Sequence, residues 1–157
     1  MLTKLDSVKA VVLDFDCTIT REHTGGRAES ADVLTSDYIK NNIKNGFVSF
    51  VRGALRKNLR LYIATYGDDS FAEREEDVAG HALVDRYMRC LFGEGQTIFR
   101  GPERDEQGAI TKYHNTIAKL SGDRKAFHWE IIMNQLKGEV PAHEILFLDD
   151  QMSNLEY

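Results

Sequence analysis

Two aspartates one residue apart, Asp14 and Asp16, close the apolar run VVLDFD near the start of the chain. A second acidic pair, Asp149 and Asp150, closes the run EILFLDD near its end, and Thr65 closes a third, LRLYIAT. Alternate residues of an extended chain face the same side, so Asp14 and Asp16 can converge on one centre. Carboxylates crowded together resist simultaneous ionisation unless a cation joins them. The histidines and cysteines show no zinc spacing, and an all-oxygen donor set selects a hard cation, with magnesium the expected cofactor. Carboxylate, magnesium and a nearby hydroxyl together form a receptor for a phosphoryl group.

These side chains belong to distant segments, so the fold must gather them. The valine-rich run Val8 to Leu13 suits a strand covered on both faces, as in a parallel sheet. Residues 35 to 57 carry Ile39, Ile43, Phe47, Phe50, Val51 and Leu55 at helical spacing, and residues 59 to 65 form the next strand. Ser70 with Glu73 three residues on reads as a capping box before a helical pattern through Leu83, Val84, Tyr87, Met88 and Leu91, interrupted near Gly80. QTIFRG (96 to 101) reads as a third strand, GPERDEQG as a polar turn, and residues 110 to 120 and 125 to 137 as two more helices. EILFLD (144 to 149) is the last strand. Strands alternating with helices give an α/β fold with a mostly parallel sheet, in which ligands bind beyond the carboxyl ends of the strands. A D-x-D or a strand-end threonine is weak evidence alone; their common placement at one sheet edge is the stronger signal.

Composition sets the outer bounds. A chain of 157 residues, 42% apolar and 29% charged, is one domain with a real core. No run is long enough to cross a bilayer, and the N-terminal apolar run reaches aspartate too soon for a signal peptide. Cys17 and Cys90 do not make a disulfide framework, so a reducing, cytoplasmic setting is expected, with a secreted effector as the alternative. Cys17 reads as a small filler and Cys90 as core. The net charge of −5 points away from a nucleic-acid surface. Arg52, Arg56, Lys57 and Arg60 fall at an expected helix end, where cations complement the helix dipole.

The motifs VVLDFDCTIT, LYIATYG and ILFLDDQMSN, in this order, resemble the first, second and fourth motifs of the haloacid dehalogenase superfamily. Its third motif, a lysine opening the helix before the last strand, is best matched by Lys125, with Lys112 and Lys119 as competitors. A cation at a helix N-terminus opposes the dipole, so another interaction should justify Lys125 there. The resemblance spans residues 8 to 154 and implies a Rossmann-like three-layer core. It implies that Asp14 attacks phosphorus and that Asp16 serves as general acid and then base. It further implies magnesium held by Asp14, the Asp16 carbonyl and Asp149, with Asp150 and Asn154 supporting the ion. Thr65 and Lys125 would bind the phosphoryl group. Aspartate at position 16 favours phosphatase chemistry over dehalogenation.

Caps in this superfamily enter after the first motif or between the second and third. Neither interval here has room for a substantial cap, so the chain resembles capless members with open sites for large substrates. A phosphoprotein, with phosphotyrosine as one form, is the expected partner; nucleic acid is not expected. REHTGGRAES reads as a flap in which Gly25 and Gly26 permit a tight turn. His23, Thr24 and Arg27 in it, and Tyr66 and Asp68 after the second motif, are the candidate specificity residues. His23 also reads as a plain loop histidine. The alternatives are a phospho-binding module without turnover, a small-metabolite phosphatase and a phosphotransferase. The family usually continues beyond the fourth motif with a helix and an edge strand. Ending at Tyr157, the sequence is expected to be either shortened or one strand smaller.

Overall fold

The computed structural model describes residues 6–155. Its centre is a parallel four-stranded sheet. The first strand, β1 (Ala10–Leu13), is followed by a flap carrying β2 (Arg27–Ala28), then by helices α1 (Ser36–Asn42) and α2 (Phe47–Arg56). Next come β3 (Arg60–Thr65), the short β4 (Val78–Ala79) and α3 (Gly80–Phe92). A ribbon of β5 (Glu103–Arg104) and β6 (Ile110–Lys112) precedes β7 (Thr116–Ala118), α4 (Ala126–Leu136) and β8 (Ile145–Leu148). The order across the main sheet is β7-β3-β1-β8, all parallel.

Side-chain alternation along the strands makes three layers. Val11, Leu13, Leu61 and Ile63 face Ile39 of α1, Val51 and Ala54 of α2, and Leu83, Val84 and Met88 of α3. Ala10, Val12, Tyr62, Ala64 and Ile117 face Ile132 and Leu136 of α4. This α/β sheet with helices on both faces is Rossmann-like in arrangement. The chain runs outward from β1 through β3 to β7 and then returns to β8 on the other side of β1. The β1/β8 boundary is therefore the point where strand order reverses, and the crevice outside the strand ends opens there. Among the described residues, no helix is long and apolar enough to cross a membrane.

Four expectations of local structure are corrected. The helix across residues 35 to 57 is two helices, because Gly46 lies at φ +86°, and Ile43 leaves the helix to bridge Thr20. Asp68, not Ser70, supplies the cap after β3: its carboxylate accepts from the Ser70 N–H at 2.9 Å, and only a short 3-10 turn, Asp69–Phe71, follows. Residues 96 to 101 are not a strand. There the Gln96 side chain bonds both backbone groups of Phe99, whose ring is buried beside Phe47 and Phe92. Residues 110 to 120 form strands β6 and β7 rather than a helix. Ile110, Tyr113 and Ile117 mimic helical spacing, but β-branched residues at 110, 111, 116 and 117 suit the extended chain that pairs with β3. The polar GPERDEQG segment turns as expected, between the two strands of the ribbon.

Candidate active site

Strand pairing brings the acids together. Leu13 and Leu148 are register partners, and the Asp14 N–H donates to the Leu148 carbonyl at 2.9 Å, so Asp14 and Asp149 leave adjacent strands side by side. Thr65 ends β3, the strand on the other side of β1. After β1 the chain turns sharply through Cys17 at φ +59°, while the ring of Phe15 stays in the core, edge-on to Tyr87 at 5.2 Å. That anchoring leaves Asp14 and Asp16 facing one small cavity of about 90 Å³. Thr65, Tyr66, Asp150 and Asn154 also line it, together with His23, Gly25 and Gly26 of the flap.

Lys125 lies beneath this cavity rather than in its wall. It is 1% exposed, and its ammonium donates to Asp14 Oδ1 at 2.6 Å and to the Ala64 carbonyl, 3.9 Å from Asp149 Oδ2. The Tyr66 ring sits 4.5 Å from the same Nζ, a cation–π contact. Its position just before α4 costs dipole energy that these partners offset. The competing lysines go elsewhere: Lys112 faces Glu103 at 3.7 Å and Lys119 faces Asp68 at 3.1 Å.

Burial pushes the Asp14 carboxyl up to about 6; Lys125 opposes the rise, and Asp149 adds to it. Burial and the Lys125 charge push the neighbouring His128 down to about 4, keeping its ring neutral at physiological pH. That ring lies 2.8 Å from the Thr65 carbonyl, under the second strand end. The Cys17 thiol is also pushed up, by burial first and then by Asp150 and Asp16, which suits a filler and not a nucleophile.

Asp14, Asp149 and Asp150 each offer an oxygen within 4.8 Å of the others. Against three carboxylates stands one buried ammonium, and the donor set is all oxygen, so these residues fit a hard divalent cation. Asn154 steadies the group by donating Nδ2 to both Asp149 oxygens at 3.1 Å, and Tyr66 donates its hydroxyl to Asn154 Oδ1 at 3.0 Å. The Asp16 carboxylate stands apart from this cluster: Oδ1 accepts from the Thr24 N–H and hydroxyl at 2.9 and 2.7 Å. Thr65 Oγ1 accepts from the Gly67 N–H at 3.3 Å while lining the cavity.

No protein-family model matches the chain, and no curated protein compared with it matches either. The site therefore rests on its own geometry.

Three candidate specificity residues do not line the cavity: Thr24, which bonds Asp16, and Arg27 and Asp68. Arg27 is drawn to Glu73 at 3.0 Å and Asp77 at 3.7 Å, and Asp68 is spent on the Ser70 and Leu120 N–H groups and on Lys119. Tyr66 lines the cavity, yet its hydroxyl and ring are already engaged by Asn154 and Lys125. Sequence reading missed Gly67, Phe71 and Gln151, which also line the cavity. Phe71 reaches it because β2 pairs with β4 and folds the segment after β3 against the flap. Gly26 makes that approach possible. Its φ is +71°, and a Cβ there would stand 2.7 Å from the Gly67 Cα. Only the glycine pair in this stretch hints at so close a contact.

Proposed function

We propose that this chain is a magnesium-dependent phosphomonoester hydrolase of haloacid dehalogenase type, working through a phosphorylated Asp14. The observation that carries the reading is Asp14 itself. It is a buried carboxylate at the strand-order reversal, ion-paired from below by Lys125, with Asp149 and Asp150 beside it and Asp16 facing the same cavity.

A cation held by Asp14, Asp149 and Asp150 would offset the charge of the phosphoryl oxygens and orient them. The remaining work falls to the chain's own groups. Lys125 holds the nucleophile by Oδ1, and Thr65 offers its hydroxyl to a phosphoryl oxygen. The Asp14 carboxylate attacks phosphorus while the ester P–O bond breaks, and Asp16 gives its proton to the departing oxygen. Asp16 then takes a proton from the water that attacks phosphorus, which frees Asp14 and inorganic phosphate. A binding module without turnover has no need of a second carboxylate facing the same cavity as the nucleophile, so Asp16 favours the enzyme.

The cavity volume bears on the substrate. At about 90 Å³ it suits a phosphoryl group but not a whole metabolite, for which pockets run to roughly 300–1,000 Å³. The rest of the substrate then lies outside, as it does when a phosphorylated side chain enters from a protein surface. The intervals between β1 and β3 and between β3 and β7 hold helices packed on the sheet and two short two-stranded pieces, which supports the capless reading. Phosphotyrosine, with a reach longer than phosphoserine, is the form to test first.

Phosphate release from a generic aryl phosphate, with magnesium and with a chelator, tests the reading. Release that depends on magnesium is expected; its absence across aryl phosphates, phosphopeptides and sugar phosphates would contradict it. The raised Asp14 carboxyl adds a second expectation. Below about 6 it holds a proton that must leave before the oxygen can bind a cation. Magnesium affinity, measured by calorimetric titration of the unliganded protein, should be level above that pH. Below it, affinity should fall by about tenfold per pH unit.

A further inference from the structure

Among the described residues, the hydrogen bonds that hold the Asp16 carboxylate all fall on one oxygen. Thr24 puts both its N–H and its hydroxyl on Oδ1, at 2.9 and 2.7 Å. The Gly26 N–H donates to Thr24 Oγ1 at 3.1 Å, so the single hydroxyl hydrogen is committed to Asp16. Oδ2 carries no such clamp. It faces His23 Nδ1 at 3.5 Å, and that nitrogen accepts from the Gly25 N–H at 2.9 Å, so its lone pair is already in use.

Thr24 is itself fixed by the fold rather than by Asp16. The Gly26 carbonyl accepts from the Gly80 N–H at 3.1 Å, at the start of α3. Arg27 pairs with Ala79 in the β2–β4 ladder, and Gly26 rests on Gly67. The clamp is therefore braced against α3 and the loop after β3.

We propose that Thr24 is a positioning residue that pins Asp16 by Oδ1 and so presents Oδ2 to the ester oxygen of the substrate. The proposal rests on the phosphatase reading above. As the Asp14–phosphorus bond forms and the ester bond breaks, the proton passes from Asp16 Oδ2 to the ester oxygen. The carboxylate left behind stays held at Oδ1. In the second half, water gives its proton to Oδ2 as its oxygen bonds phosphorus and the bond to Asp14 breaks. A misaimed Oδ2 should therefore matter most when the leaving group needs that proton.

The test compares wild type, Thr24→Val and Thr24→Ser on phenyl phosphate and on 2,4-dinitrophenyl phosphate, whose leaving group departs unprotonated. The quantity read is kcat/KM, which covers the steps through loss of the phenol. Thr24→Val should lose roughly 10- to 100-fold on phenyl phosphate and under about threefold on the dinitrophenyl ester, within the range of a general-acid contribution. Thr24→Ser, which keeps the hydroxyl, should recover most of the loss. Equal losses on both esters, a serine variant as impaired as the valine one, or no loss in Thr24→Val would each overturn the assignment while leaving the phosphatase reading intact. A wild type inactive on both esters, and on phosphopeptides and sugar phosphates as well, would overturn both together.

Discussion

Asp14→Asn is expected to fold and to release no phosphate above background, a loss on the order of a thousandfold or more, as when other nucleophiles are removed. The substitution keeps an oxygen of the same shape, so Lys125 retains an acceptor where it now reaches Asp14 at 2.6 Å. It removes the anion that forms the covalent bond. Lys125 is not stranded by the change, because Asp149 Oδ2 stays 3.9 Å from its Nζ, and the charge removed comes from a site that burial and Asp149 already push toward neutrality. Circular dichroism and thermal melting should thus resemble wild type while phosphate release disappears. Activity surviving in this variant would mean that another group attacks, or that the attacking group is water from the start.

Lys125→Met is expected to damage both stability and rate. The ammonium is 1% exposed and binds Asp14 and the Ala64 carbonyl; methionine supplies neither donor nor charge. Removing one partner of a buried ion pair typically costs about 3–5 kcal/mol, because the other charge is stranded. For a chain of this size, at about 2–4 °C per kcal/mol, the melting temperature should fall by roughly 10 °C. Magnesium should restore part of that loss, and raise the melting temperature more in the variant than in wild type, since the carboxylates then lack the buried Lys125 counter-charge. A melting temperature unchanged from wild type without magnesium would show that the pair carries little of the fold. A loss of stability that magnesium does not relieve would argue against a cation site at these carboxylates.

Much of this site was legible in the sequence, for a physical reason. Asp14, Thr65 and Asp149 each end a short apolar run, and buried parallel strands deliver their carboxyl ends to one edge. Lys125 stood out because a cation opening a helix needs a partner, and the Asp14 carboxylate is that partner in space. What stayed hidden depends on contacts distant in sequence. Strand β7 is only three residues long, and the Ile110, Tyr113 and Ile117 spacing beside it imitates a helix; only its ladder with β3 decides the matter. The same holds for Phe71, brought to the cavity by the β2–β4 pairing, and for Thr24, whose grip on Asp16 depends on Gly26 meeting Gly67 and Gly80. Arg27 and Asp68 stand as candidate specificity residues in the sequence, and nothing local announces the partners, Glu73 and Lys119, that draw them away from the cavity.

The central claim is a covalent bond from Asp14 to phosphorus. The most direct measurement mixes the protein with magnesium and excess aryl phosphate, quenches in acid within a turnover, and maps the digest by mass spectrometry. A phosphoryl adduct on the peptide carrying Asp14, removed by hydroxylamine and absent from Asp14→Asn, is the predicted result. Phosphate released at the normal rate with no adduct on that peptide would contradict it.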